Sequence, residues 1–211
     1  MFSLQVLALL LAGTEGAQSP SSGSWQDVTE KDARRRLTAM RMSGQVGKTF
    51  DTRILSTDRS YNYKLRATWI TADVAVAAAR LLVVTKGASA ETAEGLVREF
   101  TSPTWQYVLV EIDPREGSGV IPGDWTARFG PADVEGRDIV GEIVPDQAPW
   151  RTYVGAFPRN YDYDIFLVRF LTHKTDGTPV LESTDRNAQL TVRIHDKIGR
   201  VRWPIPVGVT R

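Results

Sequence analysis

The stretch TADVAVAAARLLVVTKG, residues 71–87, decides the helical half of the fold. Thr71 is a residue type that caps helix N-termini, alanine and leucine fill the interior, and Lys86 and Gly87 close the segment. These are the start and stop signals of an α-helix. Because the segment is apolar on most of its sides, we expect this helix to be deeply packed.

A second helix is predicted directly after the first. The segment SAETAEGLVREF, residues 89–100, begins with the capping residue Ser89 and ends before the Ser-Pro pair at 102–103. A connection this short is typical of two antiparallel helices. We therefore expect a helical hairpin over about 71–100.

Two further elements precede the hairpin. The segment 27–42 carries Thr29 as a candidate N-cap and an apolar stripe through Leu37 and Met40, which predicts a helix. The segment YNYKLRATWI, residues 61–70, alternates in the manner of a strand.

The pattern changes after residue 103. Short apolar segments follow one another, separated by a Gly/Pro-rich loop at 114–124 and by the turn signals TDGTP (175–179) and DKIG (196–199). Such spacing is typical of an antiparallel sandwich or a partly open barrel. The predicted strands are 105–113, 125–129, 138–144, 150–157, 161–171, 187–195 and 200–205.

Helices that precede strands, rather than alternating with them, indicate an α+β chain. We expect N-terminal helices packed on a C-terminal antiparallel β-sandwich, either Ig-like or a partly open barrel. A single domain is predicted over 25–211, with a helical part over about 25–103 and a sandwich part over about 104–211.

The N-terminus predicts export. Residues 2–13, FSLQVLALLLAG, are apolar apart from Ser3 and Gln5. A helix of this length spans about 18 Å, short of the roughly 30 Å hydrocarbon core. It suits a signal peptide over 1–17, although no Lys or Arg precedes the apolar segment. A Ser/Pro/Gly linker at 18–24 follows, and the predicted location is secreted or periplasmic.

Composition narrows the classes of protein. The net charge of +1 argues against a nucleic-acid partner, and the absence of cysteine excludes disulfides and thiolate metal sites. Residues 25–66 are moderately basic, with ten Lys and Arg against five Asp and Glu. Two alternatives stay open for this region, a solvated helix face or contact with an anionic partner or membrane surface.

No motif predicts catalysis. Gly47-Lys48-Thr49 matches the end of a phosphate-binding loop, but Met42 stands where that loop needs glycine. His173 and His195 belong to no zinc pattern, and no G-x-S-x-G is present. We therefore assign no catalytic residue and favour a non-enzymatic role.

The segment PRNYDYDIFLVRF, residues 158–170, holds the candidate metal ligands Asp162 and Asp164. Carboxylates two residues apart on a strand lie about 7 Å from each other and need a cation or a counter-charge. Ca²⁺ takes six to eight oxygens, so this pair alone does not complete a site. The alternative is an arginine partner, and no cofactor is assigned. The candidate arginines are Arg151, Arg159 and Arg169.

Aromatic residues gather in the same region and at the end of the long loop. They permit contacts with a protein or stacking on a glycan. The candidate interaction residues are Tyr161, Tyr163, Trp150, Tyr153 and Trp125.

Together these features predict an exported, non-enzymatic binding or accessory module of the cell envelope that contacts another protein. The first alternative is an extracytoplasmic hydrolase or glycan-binding protein. The second is a subunit of a membrane complex, held by an uncleaved N-terminal segment.

Overall fold

A computed structural model describes residues 24–46, 63–114, 121, 123–146, 150–158 and 163–206. It confirms the α+β class, with helices packed against two antiparallel sheets. The predicted signal peptide at 1–17, and all of the predicted linker except Ser24, lie outside the described residues. No helix within the described residues is long and apolar enough to span a membrane.

The helices begin and end close to their predicted limits. Thr29 and Ser89 cap their helices, with side-chain oxygens that accept from the backbone N–H groups of Asp32 and Thr92. Gly87 follows the second long helix at φ 65°, a left-handed conformation that glycine adopts without strain. The α-helices are α1 (Glu30–Ser43), α2 (Ala72–Lys86), α3 (Ala90–Phe100) and α4 (Trp150–Val154). A 3-10 turn at Trp25–Asp27 precedes α1.

The strands form one sheet of five and one of four, every neighbouring pair antiparallel. They are β1 (Gln45–Val46), β2 (Tyr63–Ile70), β3 (Trp105–Pro114), β4 (Thr126–Pro131), β5 (Ile139–Val140), β6 (Glu142–Ile143), β7 (Asp164–Leu171), β8 (Asn187–Ile194) and β9 (Lys197–Pro204). The central sheet has the order β1-β2-β3-β7-β6 and the outer sheet β5-β4-β8-β9. The sheets are not closed into a barrel, so the sandwich is the alternative that the structure supports.

The central sheet is covered on both faces. On β7, Ile165 and Leu167 pack with the helices, whereas Val168 and Phe170 pack against the outer sheet. This alternation follows from the period of two along a strand. The molecule therefore has three layers, with helices, central sheet and outer sheet in that order.

Strand β2 belongs to the centre of this arrangement. It pairs with β3 along its whole length, from Tyr63 opposite Pro114 to Ile70 opposite Tyr107. Although it lies before residue 103, within the segment predicted to be the helical part, it contributes Trp69 and two smaller residues to the core between the sheets.

Three sequence predictions need correction. The segment 150–157 was predicted as a strand, but it contains α4, because Trp150 and Val154 are buried at the i, i+4 spacing of one helix face. The predicted turn at 196–199 is misplaced. The hairpin turns at His195 and Asp196, with His195 at φ 52°, and β9 begins at Lys197.

The predicted strand 138–144 divides at Gly141 into β5 and β6, which belong to different sheets. A Cβ atom on Gly141 would lie 2.5 Å from side-chain carbons of Val168 and of Phe170. The chain can therefore cross between the sheets at this point because the residue has no side chain.

Candidate functional site

The predicted aromatic residues lie mostly within the core. Trp150 is buried, and its indole N–H donates to the Pro145 carbonyl at 2.9 Å. Trp125 is also buried, edge-on to Phe166 with ring centres 5.0 Å apart. Both side chains therefore have structural partners and offer little surface to a ligand.

The remaining aromatic candidates do not form one exposed platform either. Tyr153 is half-buried against Phe100, with ring centres 6.0 Å apart. Tyr163 is buried, and the guanidinium of Arg66 lies 5.6 Å from its ring centre. Tyr161 lies outside the described residues.

Of the two candidate metal ligands, Asp164 is described and Asp162 is not. Asp164 is exposed at the first position of β7. Within the described ranges there is no group of three or more His, Asp or Glu residues placed to hold a metal ion. The proposed counter-charges Arg151 and Arg169 pair with Asp146 and Glu142 instead, and Arg159 is not described.

The candidate catalytic motifs of the sequence lie apart from one another or outside the described residues. Gly47-Lys48-Thr49 lies outside the described residues. His195 is exposed, with its Nδ1 atom 4.0 Å from a carboxylate oxygen of Asp124. His173 is exposed in a turn, with its Nδ1 3.0 Å from the hydroxyl of Thr172.

A buried ion pair was missed by sequence reasoning. Glu111 on β3 is fully buried and accepts two hydrogen bonds from the Arg41 guanidinium of α1, at 2.7 and 2.8 Å. Arg66 is the cross-strand partner of Glu111 on β2. A glutamate inside the apolar segment YVLVEI was the available signal, since a buried carboxylate needs a partner. The pair attaches α1 to the central sheet.

A second polar cluster lies at the other end of the central sheet, between α3 and β6. Arg169 stacks on Trp105 at 4.4 Å and donates to both carboxylate oxygens of Glu142, which lowers the pKa of that carboxyl group. The Tyr107 hydroxyl donates to Glu99 at 2.7 Å. Burial, followed by this hydrogen bond, raises the pKa of Tyr107 well above its ordinary value. These contacts connect α3 to β3 and β6 to β7, and the Tyr107 hydroxyl is engaged as a hydrogen-bond donor.

A third charged region is the outer face, defined as the side of the outer sheet that points away from the central sheet. Its residues alternate with the buried positions of β4, β8 and β9. Strand register places them in rows, Thr126–Arg193–Ile198, Arg128–Thr191–Arg200 and Gly130–Gln189–Arg202. All charged strand residues in these rows are arginines.

Two of the four arginines on the outer face have partners of opposite charge. Arg128 donates to both carboxylate oxygens of Asp138, at 2.7 and 3.2 Å, and this hydrogen bonding holds the pKa of Asp138 below its ordinary value. Arg202 donates to Gln189 at 2.9 Å and lies 3.8 Å from an exposed carboxylate oxygen of Asp133.

Arg193 and Arg200 are different. Both are exposed, and within the described part of the chain neither makes an ion pair. They are diagonal neighbours on β8 and β9, a relation that places Cβ atoms within about 7–8 Å. Ile198 lies opposite Arg193 and two residues before Arg200 on β9, and its side chain is 39% exposed.

Comparison with known proteins adds little. No family model matches the sequence, and no curated protein does so. One solved structure, described as a novel protein of unknown function from Burkholderia pseudomallei, aligns over 85% of this chain and 86% of its own. That alignment has 9% sequence identity and a TM-score of 0.42.

Proposed function

We propose that this protein is an exported, non-enzymatic accessory module of the cell envelope, and that it binds another protein through the outer face. The outer face carries this proposal. It is an exposed sheet surface with two neighbouring arginines, Arg193 and Arg200, that have no carboxylate partner in the described structure.

Like charges on adjacent strands disfavour each other, most strongly when they are directly opposite, and Arg193 and Arg200 are diagonal neighbours. Arg169 of β7 pairs with Glu142 of the neighbouring strand β6. Arg193 and Arg200, like Arg36 of α1, make no ion pair in the described residues. An external partner that supplies carboxylates to Arg193 and Arg200 would remove the repulsion. The pattern therefore favours an interaction surface over a purely structural one.

The layer at which the described chain begins is compatible with binding through the outer face. The 3-10 turn begins the described chain, and Trp25 packs against the core formed by the helices. The helices and the outer sheet lie on opposite sides of the central sheet. If the residues before 24 were held in a membrane, the helical layer would lie nearest to it and the outer face would point away from it.

The test is crosslinking and purification of the protein from its native host, with intact mass measured on the same sample. We expect a species that begins near Gln18 and one reproducible partner in a fixed ratio. A mature monomer that crosslinks to nothing would contradict the proposal.

The membrane-complex alternative keeps the apolar segment 2–13 uncleaved. It predicts an intact mass that still includes residues 1–17, together with recovery in the membrane fraction. The same sample therefore separates a released module from an anchored subunit.

A further inference from the structure

The chemistry of the outer face specifies the kind of partner. We infer that it binds an acidic protein surface, with Arg193, Arg200 and Arg202 receiving carboxylates. This inference rests on the proposed function and deepens it, since it names the chemical class of the partner.

The three arginines form one continuous group. Arg193 and Arg200 are diagonal neighbours, and Arg200 and Arg202 lie on the same side of β9, two residues apart and thus about 7 Å from each other. Asp133 lies 3.8 Å from Arg202, and both of these side chains are largely exposed. An exposed pair at that distance contributes little stability, so Arg202 can exchange its partner readily.

Arginine suits carboxylates in particular. Its planar guanidinium can donate two parallel hydrogen bonds to a carboxylate, as Arg169 does to Glu142 within this protein. Ile198, opposite Arg193 and two residues before Arg200 on β9, adds an exposed apolar side chain beside both arginines. A rim of charge around an apolar contact is the usual composition of a protein–protein interface.

Other anionic partners fit less well. Nucleic acid binding normally draws on a strongly basic domain, whereas the net charge of this chain is +1. A membrane surface is the alternative that the vesicle probe tests. An acidic protein is the partner that the net charge of the chain and the chemistry of arginine favour.

The test measures binding of the full chain to immobilised poly-L-glutamate, with single-stranded DNA and anionic phospholipid vesicles as the competing probes. The face variant is Arg193→Glu with Arg200→Glu. A control with the same change of charge is Lys31→Glu with Arg36→Glu, because these two exposed cations of α1 make no ion pair in the described residues. Circular dichroism and thermal unfolding establish that each variant is folded.

We expect the unmodified chain to bind poly-L-glutamate at low salt and to release it as salt rises, since screening shortens from about 10 Å at 0.1 M to 3 Å at 1 M. The face variant should weaken binding by roughly tenfold or more, because like charges across an interface are strongly unfavourable. The control variant should bind within about twofold of the unmodified chain. Arg193→Lys with Arg200→Lys should fall between them, since lysine keeps the charge and loses the paired hydrogen bonds.

The inference is overturned if the chain does not bind poly-L-glutamate, or if the face and control variants weaken binding equally. Binding to DNA or vesicles that depends on the outer face, without binding to poly-L-glutamate, would replace the acidic protein with that partner. A native partner that the face variant retains would refute this inference and also the outer face as the binding surface, and only the exported accessory role would stand. Poly-L-glutamate binding that depends on the outer face, with no partner found in the native host, would support this inference and contradict the proposed function.

Discussion

Glu111 is fully buried, and its carboxylate depends on the guanidinium of Arg41, whose side chain is 12% exposed. Moving a charge out of water is costly, and attraction between two buried charges offsets that cost when both are present. The pair therefore stabilises the fold mainly through the penalty for leaving either charge alone. It also fixes how α1 lies on the central sheet.

We predict that Glu111→Ala lowers the free energy of unfolding by about 3–5 kcal/mol, because it leaves the Arg41 charge nearly buried without its partner. Urea unfolding followed by circular dichroism measures this change. The double variant Arg41→Met with Glu111→Met should recover most of the loss, since the Arg41 charge is removed together with that of Glu111. A loss below about 1 kcal/mol for Glu111→Ala would contradict this account of the pair.

The hydrogen bonds between Arg128 and Asp138 predict how the stability of the fold depends on pH. They hold the pKa of Asp138 in the folded protein below the ordinary value of 3.8. A depressed pKa contributes stability above the unfolded value, and that contribution is lost as pH falls through the folded value. The difference in free energy of unfolding between the unmodified chain and Asp138→Asn should therefore be constant near neutral pH and shrink below about pH 4.

This difference is measured by urea titrations of both proteins from pH 7 to pH 2.5. Asp164→Asn, which removes an exposed carboxylate on the other sheet, is the matched control. A difference for Asp138→Asn that grew as pH fell would mean that the assigned direction of the pKa shift is wrong.

At the scale of elements, local signals predicted the helices well and the short elements poorly. Capping residues and the spacing of apolar residues act within a few positions, so the predicted limits 71–87 and 89–100 differ from α2 and α3 by one residue or less at each end. Segment 150–157 was misassigned because a five-residue helix barely completes one period, and its aromatic residues favour a strand equally well.

The N-caps can be distinguished by experiment. Thr29 accepts a hydrogen bond from the backbone of Asp32, whereas Thr71 occupies the same position on α2 without a side-chain cap bond. Thr29→Val should lower the free energy of unfolding by about 1 kcal/mol, and Thr71→Val by clearly less, because valine keeps the shape and removes the hydroxyl group. Equal losses in chemical denaturation would show that the two caps are equivalent.

Gly141 provides a test of the connection between the sheets. Alanine there would bring its Cβ within 2.5 Å of packed side chains of Val168 and Phe170, so we expect a loss of about 1–3 kcal/mol in unfolding free energy. Gly123→Ala is the control, since no atom lies within 4 Å of the added carbon. A Gly141→Ala protein as stable as the control in thermal unfolding would argue against this crossing.

At the scale of the whole molecule, the sequence predicts the class of fold but not the order of its strands. β3 pairs with β7 although three strands lie between them in sequence, so no local signal marks the pairing. Of those three, β4 and β5 belong to the outer sheet and β6 pairs with the other edge of β7. The outer face was missed for the same reason. Arg193 and Arg200 become neighbours through the register of β8 and β9, and the predicted start of the last strand, at residue 200, was three residues late.

The layer order gives the outer face its significance. Both faces of the central sheet are covered, whereas the outer sheet presents its far side to solvent with a surplus of arginine. The central claim is that this side, rather than the helical layer, meets the partner.

Site-specific photocrosslinking in the native host tests that claim most directly. A photoreactive amino acid is placed at Thr191, among the arginines of the outer face, and separately at Thr38, an exposed position of α1 on the opposite layer. We predict one reproducible crosslinked protein from position 191 that is lost in the Arg193→Glu, Arg200→Glu background, and none from position 38. The same crosslinked protein from both positions, or from position 38 alone, would contradict the account.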